Sequence, residues 1–183
     1  IPNLEKHIES IQSFGLPVVV SVNAFSRDTE AEKAAVYAHC EKMGVPVALS
    51  YGWAEGGKGC TELAEKVVTA AASCKQQFTP TYDLEDTPIN KIEKICKTIY
   101  GANNVELTAK AKNQLRRFES LGYGKLPICM AKTQKSLSDN EKLIGRPKNF
   151  DIHIREFEIA TGAGFIIPIA GNMLRMPGLP VTP

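Results

Sequence analysis

Apolar and polar positions along this chain alternate between a helical and an extended period. Leu4, Ile8 and Ile11 share one helical face over residues 3–14, and Gly15 and Pro17 stop that helix. Residues 18–22 (Val-Val-Val-Ser-Val) then form an almost unbroken β-branched run, the pattern of a strand covered on both faces. Asp28-Thr29 caps a second helix running to about residue 43, with Glu30 and Glu32 in its first turn, where the helix dipole favours carboxylates. Gly44 closes it, and residues 45–49 read as a second strand. A loop from Gly52 to Gly59 leads into a helix over residues 61–73 that carries Leu63, Val67 and Val68.

This helix–strand–helix–strand–helix order predicts right-handed crossovers and a parallel sheet. Residues 78–88 are irregular, and Pro88 opens a helix that extends to Tyr100. Thr108 caps a further helix to about Leu121, ended by Gly122. Residues 126–131 are a third strand, expected beside the first two. After a polar loop over residues 132–150, the alternating stretch 152–159 reads as a half-exposed strand, and 165–169 as the last strand. No repeat or low-complexity linker intervenes. The expectation is one α/β domain over residues 1–183, a mostly parallel sheet with flanking helices plus a C-terminal strand pair.

Composition narrows the function classes. A chain of 183 residues with formal charge +2 and basic residues scattered along it carries no stripe suited to nucleic acid or a membrane surface. No apolar run reaches membrane-spanning length, and no signal peptide is visible. The five cysteines show no CxxC pairing and read as small core hydrophobes of a reduced, cytoplasmic protein. The opening Ile1-Pro2-Asn3-Leu4, without an initiator Met, reads as the start of a piece of something longer.

In parallel sheets ligands collect at the carboxyl edge of the strands. Phe25 and the single tryptophan, Trp53, both fall just past expected strand ends, so they share that edge. A lone Phe there would ordinarily plug the core. Two aromatics on neighbouring loops, with the polar Ser26-Arg27-Asp28 between them and the next helix, instead suggest a slot for a flat ring, spaced to admit one ring between them. The glycine cluster 56–59 is too loose for a phosphate loop and reads as a flexible turn that brings Trp53 over the slot. Asn23-Ala24-Phe25-Ser26 lacks the Lys and Asp of a guanine-reading motif. Residues 132–139 are dense in hydrogen-bond donors after a strand, which suits an anionic ligand, although such loops are commonly only solvated. Arg146 and Arg155 read as surface pairing partners. His7, His39 and His153 are dispersed, without acidic or cysteine partners at metal spacing. Met173, Met176 and Pro177-Gly178-Leu179-Pro180 read as packing for a terminal segment.

Several blocks are longer than a generic α/β fold explains: Asn3-Leu4-Glu5-Lys6-His7-Ile8, Val22-Asn23-Ala24-Phe25 with Asp28-Thr29-Glu30, Trp53-Ala54-Glu55-Gly56-Gly57, residues 126–134 (Leu-Pro-Ile-Cys-Met-Ala-Lys-Thr-Gln) and residues 176–180. In this order they resemble the C-terminal part of formate–tetrahydrofolate ligases. The resemblance implies a ligase that joins formate to tetrahydrofolate with ATP and Mg²⁺ through formyl phosphate, and a homo-oligomer when full length. It implies a folate site made by Phe25 and Trp53, sandwiching the pteridine ring, with Asn23 and Ser26 beside them; the family often has proline where Ser26 stands. Each such aromatic contact is worth roughly 0.5–1.5 kcal/mol beyond burial. It further implies nucleotide near Lys132, Thr133 and Gln134, and a partner N-terminal domain carrying the phosphate loop. No G-x-x-x-x-G-K-[ST] stretch and no Gly-Gly-Ala-Ala-Gly-Gly-Gly signature occur in these 183 residues. The expectation is therefore a folate-binding portion, inactive alone; a self-sufficient, non-catalytic α/β binding module is the alternative.

Overall fold

The computed structural model describes residues 1–173. The chain divides into two compact units, Asn3–Thr79 and Pro80–Pro183. The fold class is α/β, with one parallel sheet and one mixed sheet, each flanked by helices.

In the first unit, helix α1 (Pro2–Gln12) begins on a proline, whose missing N–H is unneeded at a helix start, and buries Ile8. Strand β1 (Val20–Asn23) pairs in parallel with β2 (Val47–Ser50), Val20 opposite Val47 and Asn23 opposite Ser50. Helix α2 (Glu30–Lys42) joins them. Its capping box is complete: the Glu32 amide donates to Thr29 Oγ1 (3.2 Å), and the Thr29 amide to Glu32 Oε2 (2.9 Å). Ile8, Val20, Cys40, Val45 and Val47 form the core between helices and strands. A fully buried isoleucine such as Ile8 contributes roughly 1.5–3 kcal/mol.

Strand β1 is shorter and less covered than the valine run suggests. The ladder starts at Val20, whose amide donates to the Pro46 carbonyl (2.8 Å). Val18 and Val19 are half-buried, while Ser21 and Asn23 are exposed. A two-stranded sheet has too little width to bury both faces of a strand. Beyond β2 lie a short helix α3 (Gly52–Glu55), a 3₁₀ turn (Gly56–Cys60) and helix α4 (Thr61–Ser73).

In the second unit, α5 (Pro88–Ile95) continues through a π-helical turn (Cys96–Tyr100) to Gly101, which ends it at φ +78°. Strand β3 (Val105–Leu107) leads through the Thr108 cap into α6 (Ala109–Ser120). Strands β4 (Ile152–Ala160) and β5 (Phe165–Ala170) are the expected strand pair, antiparallel, with a bulge between Ile154 and Glu156; β3 adds to β4 in parallel. Ile92, Cys96, Leu115, Ile152, Ile154 and Phe157 are central to its core.

Residues 126–131 do not join β1 and β2, contrary to the sequence reading. They run parallel to β5, with Ile128 bridging Ile166 and Ala131 bridging Ile169. Pro168 has no N–H to donate, so the ladder breaks into two bridges instead of a continuous strand.

One charged side chain lies inside this unit. Lys91 is fully buried, and its ammonium donates to the carbonyls of Leu126 (3.1 Å) and Gly124 (3.4 Å). The ring of Tyr82 lies 6.0 Å away, and its hydroxyl accepts from the Ile128 amide (3.1 Å). Burial, followed by the charge of Lys125, lowers the Lys91 pKa. Replacing Lys91 by Met keeps the stem but leaves two carbonyls unpaired, and should cost about 1–3 kcal/mol. Because the folded-state pKa is depressed, the unfolded chain binds more protons between that value and 10.5. The unmodified protein should therefore gain stability relative to Lys91→Met as pH rises through this window, and lose it as pH falls. Urea denaturation of both proteins across alkaline pH checks the sign; a flat difference would refute it.

Candidate functional site at the carboxyl ends of β1 and β2

The ladder runs one residue past β1, where the Ala24 amide donates to the Ser50 carbonyl (3.0 Å) and Ala24 is almost wholly buried. The chain then turns sharply. Asp28 closes this turn from both sides: its carboxylate accepts from the Phe25 amide (2.7 Å), and its own amide donates to the Phe25 carbonyl (3.0 Å). Phe25 is thus presented outward between a strand end and the Thr29 cap. Ser26 is exposed beside it, and Asn23 occupies the last, exposed position of the strand.

The opposite wall grows from β2. Tyr51 anchors a loop whose neck is closed by its amide donating to the Gly59 carbonyl (3.0 Å), while its carbonyl accepts from the amides of Ala54 and Glu55 (both 2.9 Å). A Cβ at Gly59 would lie 2.7 Å from the Tyr51 backbone, and one at Gly52 would lie 2.9 Å from Cys60 Sγ. Glycine at both places lets the chain wind this tightly. The loop is consequently a wound helix and 3₁₀ turn, not the irregular turn its glycines suggest. Helix α3 holds Trp53, whose indole Nε1–H donates to the Ala24 carbonyl at 2.6 Å.

The structure therefore brings Phe25 and Trp53 together, more closely than the sequence reading expects. Their ring centroids are 5.8 Å apart with planes inclined at 21°. A third ring between them needs outer planes about 7 Å apart, two van der Waals contacts of about 3.5 Å. The expected open gap is closed: each ring covers part of the other's apolar face. Both remain more than half exposed, at 53% and 59%.

Another hollow of this unit, about 570 Å³, lies at the other end of the strands and is bounded in part by Leu16, Pro17, Val45 and Pro46. Lys66 on its rim is already engaged, donating to the Val47 carbonyl (2.5 Å) and to Glu62 (2.5 Å). It offers no aromatic wall, so the exposed Phe25–Trp53 pair is the better match to a flat ligand.

Lys132, Thr133 and Gln134 belong to the second unit. The Lys132 ammonium donates to the carbonyls of Thr133 (2.8 Å) and Ser136, and stands 4.9 Å from the Tyr100 ring centroid. Burial lowers its pKa, and burial likewise pushes the Tyr100 phenol up to about 12. The lysine thus spends its donors on its own loop. Thr133 and Gln134 line a cleft of about 760 Å³ together with Asp139 and His153.

Sequence reasoning does not find this last pair. His153 Nδ1 lies 2.9 Å from Asp139 Oδ2, which also accepts from the His153 amide (2.8 Å), and Glu106 lies 3.6 Å from Nε2. Fourteen residues separate the partners, and no periodicity links them. Arg155 pairs with Glu156 and donates to the carbonyls of Gly171 (3.3 Å) and Met173 (3.1 Å). Met176 and residues 177–180 lie outside the described residues. Among the described residues no group of three His, Cys, Asp or Glu side chains is placed to hold a metal, and no helix is long and apolar enough to cross a membrane.

The family model for formate–tetrahydrofolate ligase matches residues 1–183. A formate–tetrahydrofolate ligase of Limosilactobacillus fermentum is 48% identical over 183 residues, covering all of this chain and 33% of that relative. The chain thus spans about a third of the length of the curated relative it matches. With the match running from the first residue to the last, this chain belongs to the formate–tetrahydrofolate ligase family.

Proposed function

We propose that this chain is the folate-binding portion of a ligase that forms 10-formyltetrahydrofolate from formate, tetrahydrofolate and ATP. The observation that carries the reading is the exposed Phe25–Trp53 pair at the carboxyl edge of a parallel sheet. Contiguous exposed apolar surface marks candidate ligand-binding sites, and two stacked, exposed rings on one loop rim make such a surface. A pteridine ring gains buried area and a stacking contact on each face, while Asn23 and Ser26 offer polar groups at its edge. Phosphoryl transfer to formate requires backbone donors, a lysine and Mg²⁺ arranged around the phosphates. The lysine nearest such a role, Lys132, is engaged by its own loop, so in this reading ATP and Mg²⁺ are held mainly by the N-terminal domain of a longer polypeptide. Thr133 and Gln134 then line the nucleotide side. The complete enzyme is cytoplasmic and a homo-oligomer in this reading.

The 183-residue chain should bind tetrahydrofolate weakly, with quenching of its single tryptophan. Phe25→Ala should weaken binding by about 1–3 kcal/mol through loss of one apolar wall. Trp53→Ala loses the reporter, so its weaker binding is read by competition with unlabelled folate. Absence of saturable quenching, confirmed by calorimetry, would refute the folate site. The purified chain alone should release no ADP in a formate-dependent manner. Release above a boiled control would show that it carries its own phosphoryl-transfer site.

A further inference from the structure

We infer that the Phe25–Trp53 stack is a latch closed over the pterin slot, with Trp53 the fixed jamb and Phe25 the leaf that turns aside. This rests on the folate reading above and specifies how that site opens. With centroids 5.8 Å apart, the rings leave no room for a third, so one must move before a ligand ring is held on both faces.

Their anchors are unequal. Trp53 is tied through Nε1–H to the carbonyl of Ala24, a buried residue bonded to the end of β2. Its helix is wound against Tyr51 and Gly59, where not even a methyl group fits. Displacing Trp53 therefore breaks a hydrogen bond and disturbs a close-packed neck. The Phe25 ring has no polar atom and is 53% exposed. Its backbone stays fixed by Asp28, so the ring leaves by rotation about χ1 into another staggered well. Among the described residues, the aromatic contact such a rotation gives up is the stack with Trp53.

The two walls favour a planar ring held on both faces, and the latch adds a cost common to every ligand that enters between them. Opening forfeits one aromatic contact, and a planar ring inserted between the walls regains two. A ligand that stacks on a single face regains one and gains nothing over the closed state. The apparent affinity is reduced by the fraction of molecules whose latch is open, whichever ligand binds.

NMR of the 183-residue chain, without and with saturating tetrahydrofolate, tests this. Without ligand, nuclear Overhauser contacts should join the Phe25 and Trp53 rings, and the indole N–H should exchange slowly with solvent. In the complex, the contacts between the two rings should vanish, each ring should contact the pterin, and the slow indole exchange should persist. Phe25→Leu, which keeps an apolar side chain without a ring face, should retain the slow indole exchange, shift the Trp53 ring protons, and bind about tenfold more weakly. Phe25–Trp53 contacts that survive saturation place the ligand outside the stack and overturn the latch, while leaving the folate site standing. Fast indole exchange in the complex makes Trp53 the moving part and also overturns it. Rings with no mutual contact in the free chain do the same. A complete lack of binding by calorimetry removes the folate reading and the latch together.

Discussion

The parallel register of β1 and β2 is the constraint on which the site depends. Val20 opposite Val47 and Asn23 opposite Ser50 bring both strand ends to the same level, and the bond from Ala24 to Ser50 carries that alignment into the loops. A slip of one residue would turn every side chain of β1 to the other face. It would also move the Ala24 carbonyl away from the indole that it accepts. Cross-strand pairing and aromatic contact are thus one geometric fact seen at two scales. The capping box of α2 serves the same end, because it fixes where the turn bearing Phe25 must stop.

The second unit solves a different problem with similar means. Its sheet mixes parallel and antiparallel neighbours, and the stretch beside β5 is interrupted at Pro168. Backbone carbonyls left over in such irregular chain need donors. Lys91 supplies them at Gly124 and Leu126, and Lys132 supplies them at Thr133 and Ser136. Each lysine forgoes water for carbonyl oxygens and an aromatic face. The two ammonium groups are therefore struts that shape the loops after α6 and after residue 131, and among the described residues neither is paired with a carboxylate.

Much of this was legible in the sequence, for identifiable reasons. Thr29 with Glu32, Pro88, Thr108 and Gly122 mark helix ends through local hydrogen bonding, which needs no knowledge of the rest of the fold. The proximity of Phe25 and Trp53 followed from two consecutive strands ending in aromatic-bearing loops. What escaped depended on partners distant in sequence. The run at residues 126–131 is apolar and extended, yet nothing in it names β5 as its neighbour. Strand β3 is three residues long and has no period to detect. Lys91 sits in an amphipathic helix where a charged residue ordinarily faces water, and its burial is decided by Gly124 and Leu126 far along the chain. Closure of the ring pair is a matter of side-chain rotamers, beyond the reach of spacing.

The glycines of the Trp53 loop divide into two kinds. Gly52 and Gly59 are hemmed in, whereas a Cβ at Gly56 or Gly57 would meet nothing within 4 Å, and only Gly56 has a positive φ. The length of chain between the hemmed pair is fixed by contact, but the crown of the loop at Gly57 is free of it. A protein engineer wishing to hang a dye or a crosslinker within a few residues of Trp53 has a natural attachment point there, at a position whose side chain would leave the neck of the loop undisturbed.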